Sequence, residues 1–138
     1  MTEHPSSKLF TTLDVAGLRE AIAKREGLCV LATVNDDGTP NAAIFVPSMP
    51  DDEHVVFVLA PNLTKANIER TGTAWMVYDV VQPRNEEGRQ PHAGARCALT
   101  LVRAEEAAEE HAAVLVTLPE RMRSFAVVMR IGEIRSIG

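Results

Sequence analysis

No apolar run in this 138-residue sequence approaches the ~20 residues that a membrane-spanning helix requires, which excludes a spanning helix. The opening residues, MTEHPSSKLF, lack the charged-then-apolar layout of a secretory signal, so a cytoplasmic location is expected. An excess of basic residues is missing as well. With 14 basic against 19 acidic residues and a formal net charge of -5, a phosphate-backbone binder is excluded and nucleic acid is not an expected partner. The two cysteines, Cys29 and Cys97, form no CxxC motif, and each sits in an apolar, strand-like run (GLCVLATV, ARCALTLV), where a free thiol packs as a small hydrophobe. His4, His54, His92 and His111 are scattered without ligand spacing, so no metal site is expected. Absent too are G-x-S-x-G, the P-loop and G-x-G-x-x-G, which removes support for nucleophilic hydrolysis, Walker-type nucleotide binding and dinucleotide binding.

What is present is a chain of short strand signals. Thr11 stands three residues before Asp14 as in a capping box, and Val15, Leu18 and Ile22 then recur at helical spacing with Gly27 as the stop. Residues 28–34 (LCVLATV) and 41–49 (NAAIFVPSM) read as strands joined by a tight turn at Asp37-Gly38, since Gly supplies the positive φ that such a hairpin needs. Residues 54–60 (HVVFVLA) are continuously apolar, as in a strand buried on both faces. A brief helix capped by Asn62 or Thr64 follows, then a strand over 74–81 (AWMVYDVV) in which Trp75 is expected in the core. The proline- and glycine-containing segment 82–94 reads as a long loop, and 95–102 as a strand. Ala104, Ala107, Ala108, Ala112 and Leu115 share one helical stripe, the EEAAEE acids face water, and 124–137 alternates as a closing strand. Length and apolar content suit one domain over residues 1–138. A mostly antiparallel meander with few helices suggests a closed or nearly closed barrel.

Three stretches carry a resemblance. They are Leu31-Ala32-Thr33-Val34 with Asp37-Gly38-Thr39-Pro40-Asn41, then Thr64-Lys65-Ala66-Asn67-Ile68, then Trp75-Met76-Val77-Tyr78-Asp79. Gly94-Ala95-Arg96 and residues 126–137 agree more loosely. Together they resemble the FMN-binding split-barrel family, which includes the pyridoxamine 5'-phosphate oxidases and small FMN-binding proteins. The resemblance implies a mainly β fold with peripheral helices, a six-stranded antiparallel split β-barrel of the FMN-binding type. It also implies FMN as cofactor and a homodimer that builds the site from two chains.

FMN requires anion donors at one end and backbone groups with apolar walls at the other. For the phosphate, the resemblance points to Asn62, Thr64, Lys65 and Asn67, where a helix start adds unpaired N–H groups, a hydroxyl and a positive charge. The competing reading is that Asn62 or Thr64 merely caps the helix while Lys65 faces water. For the ring, it points to Ile44, Phe45, Val46, Pro47 and Ser48, on the strand that in the family runs beside the flavin, with Leu59 and Ala60 as an apolar floor. Pro47 cannot donate to a ladder and belongs at an edge or bulge, which an ordinary edge strand also explains.

Two functions from different classes follow. One is an FMN-dependent oxidoreductase or electron-transfer protein, with NADH, NADPH or a redox partner as the counterpart and no catalytic side chain assigned, because the flavin carries the chemistry. The other is a split-barrel binding module for another ligand, deazaflavin or haem, or for none. A true pyridoxamine 5'-phosphate oxidase ranks lower, since only Arg130 and Arg135 are basic in the last strand.

Overall fold

The computed structural model describes residues 9–138. Its elements, in chain order, are β1 (Phe10–Thr12), α1 (Val15–Lys24), β2 (Leu28–Val34), β3 (Pro40–Ile44), β4 (His54–Val58), α2 (Leu63–Thr71), β5 (Thr73–Val81), β6 (His92–Leu101), α3 (Ala108–Leu115) and β7 (Ala126–Arg135). One curled sheet runs β3-β2-β5-β6-β7-β4, every neighbouring pair antiparallel, and β1 adds a parallel pairing to β6. This is the split-barrel fold, mainly β with peripheral helices. No helix among the described residues is long and apolar enough to cross a membrane.

Alternation explains the barrel. On β5, Ala74, Met76, Tyr78 and Val80 point inward and are buried, joined by Cys29 and Leu31 of β2 and Ala95, Cys97 and Leu99 of β6. β4 is buried on both faces, as its unbroken apolar run implies: Val55 and Phe57 join the main core, while Val56 joins Val102, Val114 and Val128 beneath α3. The Asp37-Gly38 turn is as expected, with Gly38 at φ 87° and the Asn35 amide donating to Thr39 O at 2.8 Å.

Several expectations are corrected. A seventh strand, β1, lies where a capping box was expected to begin. The cap of α1 is Asp14, which accepts from Gly17 N at 2.8 Å, leaving Thr11 in the strand. The second barrel strand stops at Ile44, not Met49, because Pro47 has no N–H to continue the ladder. The 82–94 segment is no open loop, since Gln82 N donates to Pro91 O and Asn85 N to Arg89 O, extending the β5–β6 hairpin. α3 begins at Ala108, and the helix docks through Ala107, Val114 and Leu115, with Ala108 and Ala112 exposed. Trp75 is half-buried on the outer face with the Arg135 guanidinium 5.0 Å over its ring, because the inward phase of β5 belongs to its neighbours. The closing strand starts at Ala126, after a 3-10 turn over Glu120–Phe125.

Candidate functional site

The sheet order leaves β3 and β4 at opposite ends, and the chain between them spans the opening. Three anchors hold this span: Phe45 N donates to Cys29 O at 3.2 Å, Ser48 and Val56 exchange two backbone bonds at 2.9 and 2.7 Å, and Arg19 donates to Pro50 O at 2.8 Å. Between the anchors, the Val46 N–H enters no hydrogen bond among the described residues. Orphan backbone groups of this kind need a partner from outside the chain or from solvent.

Beside this span lies a cleft of about 680 Å³. Its walls are the span itself, Val56, Val58 and Leu59 of the β4 side, the end of α1, and the turn after α3 with Leu118 and Met122. The structure therefore brings Ile44, Phe45, Val46, Pro47, Ser48 and Leu59 together on one cavity, and leaves Ala60 exposed outside its lining. The volume falls in the range of small-molecule and cofactor sites, and the walls mix apolar side chains with polar backbone.

The residues chosen for a phosphate divide. Asn62 caps α2 by accepting from Lys65 N at 2.8 Å, as the competing reading held. Asn67 is fully buried, donating to Thr33 Oγ1 at 3.1 Å and Asn35 Oδ1 at 2.9 Å while accepting from Arg70 at 3.0 Å. Thr64, also buried, accepts from Asn41 at 3.2 Å. These side chains tie α2 to β2 and β3. Lys65 differs. Its ammonium sits 3.5 Å from the carbonyl of Leu59, a cleft residue, and no carboxylate among the described residues pairs with it. Lys65 is thus the one cation of the set, outside the cleft lining itself but bonded to the carbonyl of a residue that lines it.

Two features escaped the sequence. Arg25 caps α1 in the left-handed region at φ 55° and lines the cleft; only a glycine would have signalled that backbone, and Gly27 drew attention two residues too late. His54 is buried between Asp51, 3.0 Å from Nδ1, and Glu110, 2.6 Å from Nε2, and Glu110 also accepts from Arg130 at 2.8 Å. Burial works against the imidazolium, but the carboxylates of Glu110 and Asp51 outweigh it and hold the His54 pKa above its ordinary value. Arg130 and His54 hold Glu110 down to about 2, so this acid is no solvated member of its cluster. The clamp fastens α3, and the cleft wall that follows it, to β4 and β7. Cys29 and Cys97 are free and buried, with thiols pushed up by burial to about 12 and about 11, as small hydrophobes should be. No metal-ligating cluster occurs among the described residues.

None of the curated proteins matches the chain significantly. Among solved structures, an FMN-binding protein from Syntrophomonas wolfei is similar at 18% identity, over 90% of this chain and 86% of that one, with a TM-score of 0.61. An F420 reductase is similar at 16% identity over 98% of each chain, TM-score 0.50. A haem-binding protein from Mycobacterium smegmatis is similar at 16% identity, over 90% of this chain and 57% of that one, TM-score 0.50. At these identities the likeness is one of fold. The profile of the pyridoxamine 5'-phosphate oxidase family, in contrast, matches residues 18–128, most of the sequence. The chain belongs to the pyridoxamine 5'-phosphate oxidase family.

Proposed function

We propose that the protein binds FMN in the cleft at the barrel's opening and acts as an oxidoreductase or electron-transfer flavoprotein. The observation that carries this reading is the pairing of a cleft walled by the Ile44 to Ser48 span, whose Val46 N–H is free, with the Lys65 ammonium, which no carboxylate pairs and which donates to the carbonyl of the cleft residue Leu59. The two ends of FMN ask for these two features. Ile44 to Ser48 offer one wall and the free Val46 amide to the ring system, Leu59 the floor, and Lys65 with the start of α2 the phosphate contact. The bound flavin would accept hydride or single electrons, while the polypeptide positions it and keeps water from it. Asn62, Thr64 and Asn67 contribute by fixing α2, and through it Lys65, against the barrel. Ala60 lies next to the floor.

The site is proposed to be shared by two copies. Ile44, Val46 and Val58 line the cleft yet stand 63, 71 and 45% exposed, an apolar mouth that a second chain would cover. The same patch continues across the outer face of the sheet, where Ile44 pairs with Val30 and Val30 with Val77. Sedimentation is expected to report a dimer, and a clean monomer in the presence of FMN would count against a shared site.

The absorption spectrum before and after FMN addition, followed by ultrafiltration, tests the cofactor. Retained FMN supports the reading and directs a screen of NADH and NADPH as reductants. Failure to retain it overturns the reading, and the F420 reductase and haem-binding protein of the same fold make deazaflavin and haem the next ligands to try.

A further inference from the structure

Beside the cleft opens a smaller cavity of about 150 Å³, lined by Leu28, Cys29 and Tyr78 in addition to the shared span Ile44 to Pro47. Ile22 and Arg25 also line both spaces. The smaller space is apolar. Its thiol is kept neutral by burial, and the Tyr78 hydroxyl is already committed, accepting from Gly27 N at 3.0 Å and donating to Ala21 O at 3.2 Å. The space has about the volume that takes one benzene ring, and it is open on the side of Leu28, Ile44 and Val46, which stand 53, 63 and 71% exposed.

In both spaces Arg25 is the single charged lining residue. Its side chain pairs with no carboxylate among the described residues and donates no hydrogen bond among them. Its backbone is fixed by the end of α1: Arg25 N donates to Ile22 O and Glu26 N to Ala21 O, both at 3.1 Å. Arg25 is exposed, and its guanidinium, beside the junction of the two spaces and without an anion of its own chain, is free to take a ligand that brings one anion and a small apolar body. Lys65 donates to the Leu59 carbonyl and lines neither space, which leaves Arg25 as the cation that faces them.

We propose that the protein binds a small carboxylate with a ring-sized apolar body, the body in the smaller cavity and the carboxylate on Arg25. This site rests on the flavin reading only in that it places such a molecule beside the ring system. Recognition by charge means that a neutral isostere loses most of the affinity, because it leaves the guanidinium without its anion.

Benzoate and its neutral counterpart benzamide are the probes, titrated into FMN-loaded protein and followed by the flavin absorption bands and by calorimetry. The expected result is saturable benzoate binding, at least tenfold weaker for benzamide, at least tenfold weaker in Arg25→Gln, and partly restored in Arg25→Lys. FMN retention is measured for each variant beside benzoate binding. The proposal is overturned if benzoate does not bind while FMN does, or if benzamide binds equally well. Loss of FMN from Arg25→Gln also overturns it, assigning Arg25 to the cofactor. Should the wild type hold no FMN, the flavin reading fails alone; calorimetry of the unloaded protein with benzoate then decides this proposal, supporting it if binding depends on Arg25 and overturning it if there is none.

Discussion

Two polar stretches flank α2, and they are built in opposite ways. On the side facing β2 and β3, Thr33, Asn35, Asn41, Thr64, Asn67 and Arg70 close on one another, and no buried side-chain polar atom in the described residues lacks a partner. On the side facing the opening, the Val46 amide has no partner, the Lys65 ammonium has only the Leu59 carbonyl and no carboxylate, and most of the side chains lining the cleft are apolar. Residue type alone does not separate the two, since amides, hydroxyls and cations suit a phosphate in either place. What separates them is whether their hydrogen-bonding capacity is already used within the chain. The first stretch holds the fold, and the second is left for a ligand.

Substitutions sharpen that contrast. The largest effect is expected at Asn67→Ala, which leaves Thr33, Asn35 and Arg70 without their shared partner and should cost about 3 kcal/mol in denaturant unfolding. The folded fraction should still bind FMN, since Lys65 itself is unchanged. A next, smaller loss, about 2 kcal/mol at pH 6, is expected for His54→Gln, which removes the charge between Asp51 and Glu110. Because folding raises the His54 pKa, its share of stability is whole below the ordinary value of 6.5 and is lost as pH rises through the raised one. Thermal scans of the wild type should therefore show a decline above neutrality that His54→Gln lacks. Glu110, held at about 2, gives its share above 4.5 and loses it only as pH falls toward that lower value.

Lys65→Ala should break the contrast from the other side, weakening FMN roughly tenfold, about 1.4 kcal/mol, with no measurable change in unfolding. Thr64→Val, one residue away, should do the reverse, costing about 1 kcal/mol of stability through the lost Asn41 bond and little FMN affinity. If Thr64→Val instead weakens FMN as much as Lys65→Ala does, the division between the two sides of α2 is wrong.

The barrel was legible in the sequence because its strands alternate cleanly and its first turn is an Asp-Gly pair. The residues that the family motifs pointed to for the ring, Ile44 to Ser48 with Leu59, fall on one cavity, while Ala60 does not. β1 was not legible, since its three exposed residues join β6 through backbone bonds that leave no side-chain pattern. Asp14 and Thr11 are both good caps, and only the chain's path chose between them. The face of α3 was misread because alanine contributes little to burial, so Val114 and Leu115 set the helix orientation instead. The roles of Arg25 and His54 depend on groups brought in from distant positions, Glu110 among them, and no local spacing announces such partners.

A crystal structure of the protein soaked with FMN tests the central claim most directly. The account predicts the phosphate within hydrogen-bond reach of the Lys65 ammonium and the ring system against Val46 and Pro47, over Leu59. Flavin density anywhere else, with the cleft between the Ile44 to Ser48 span and β4 still open, would contradict it.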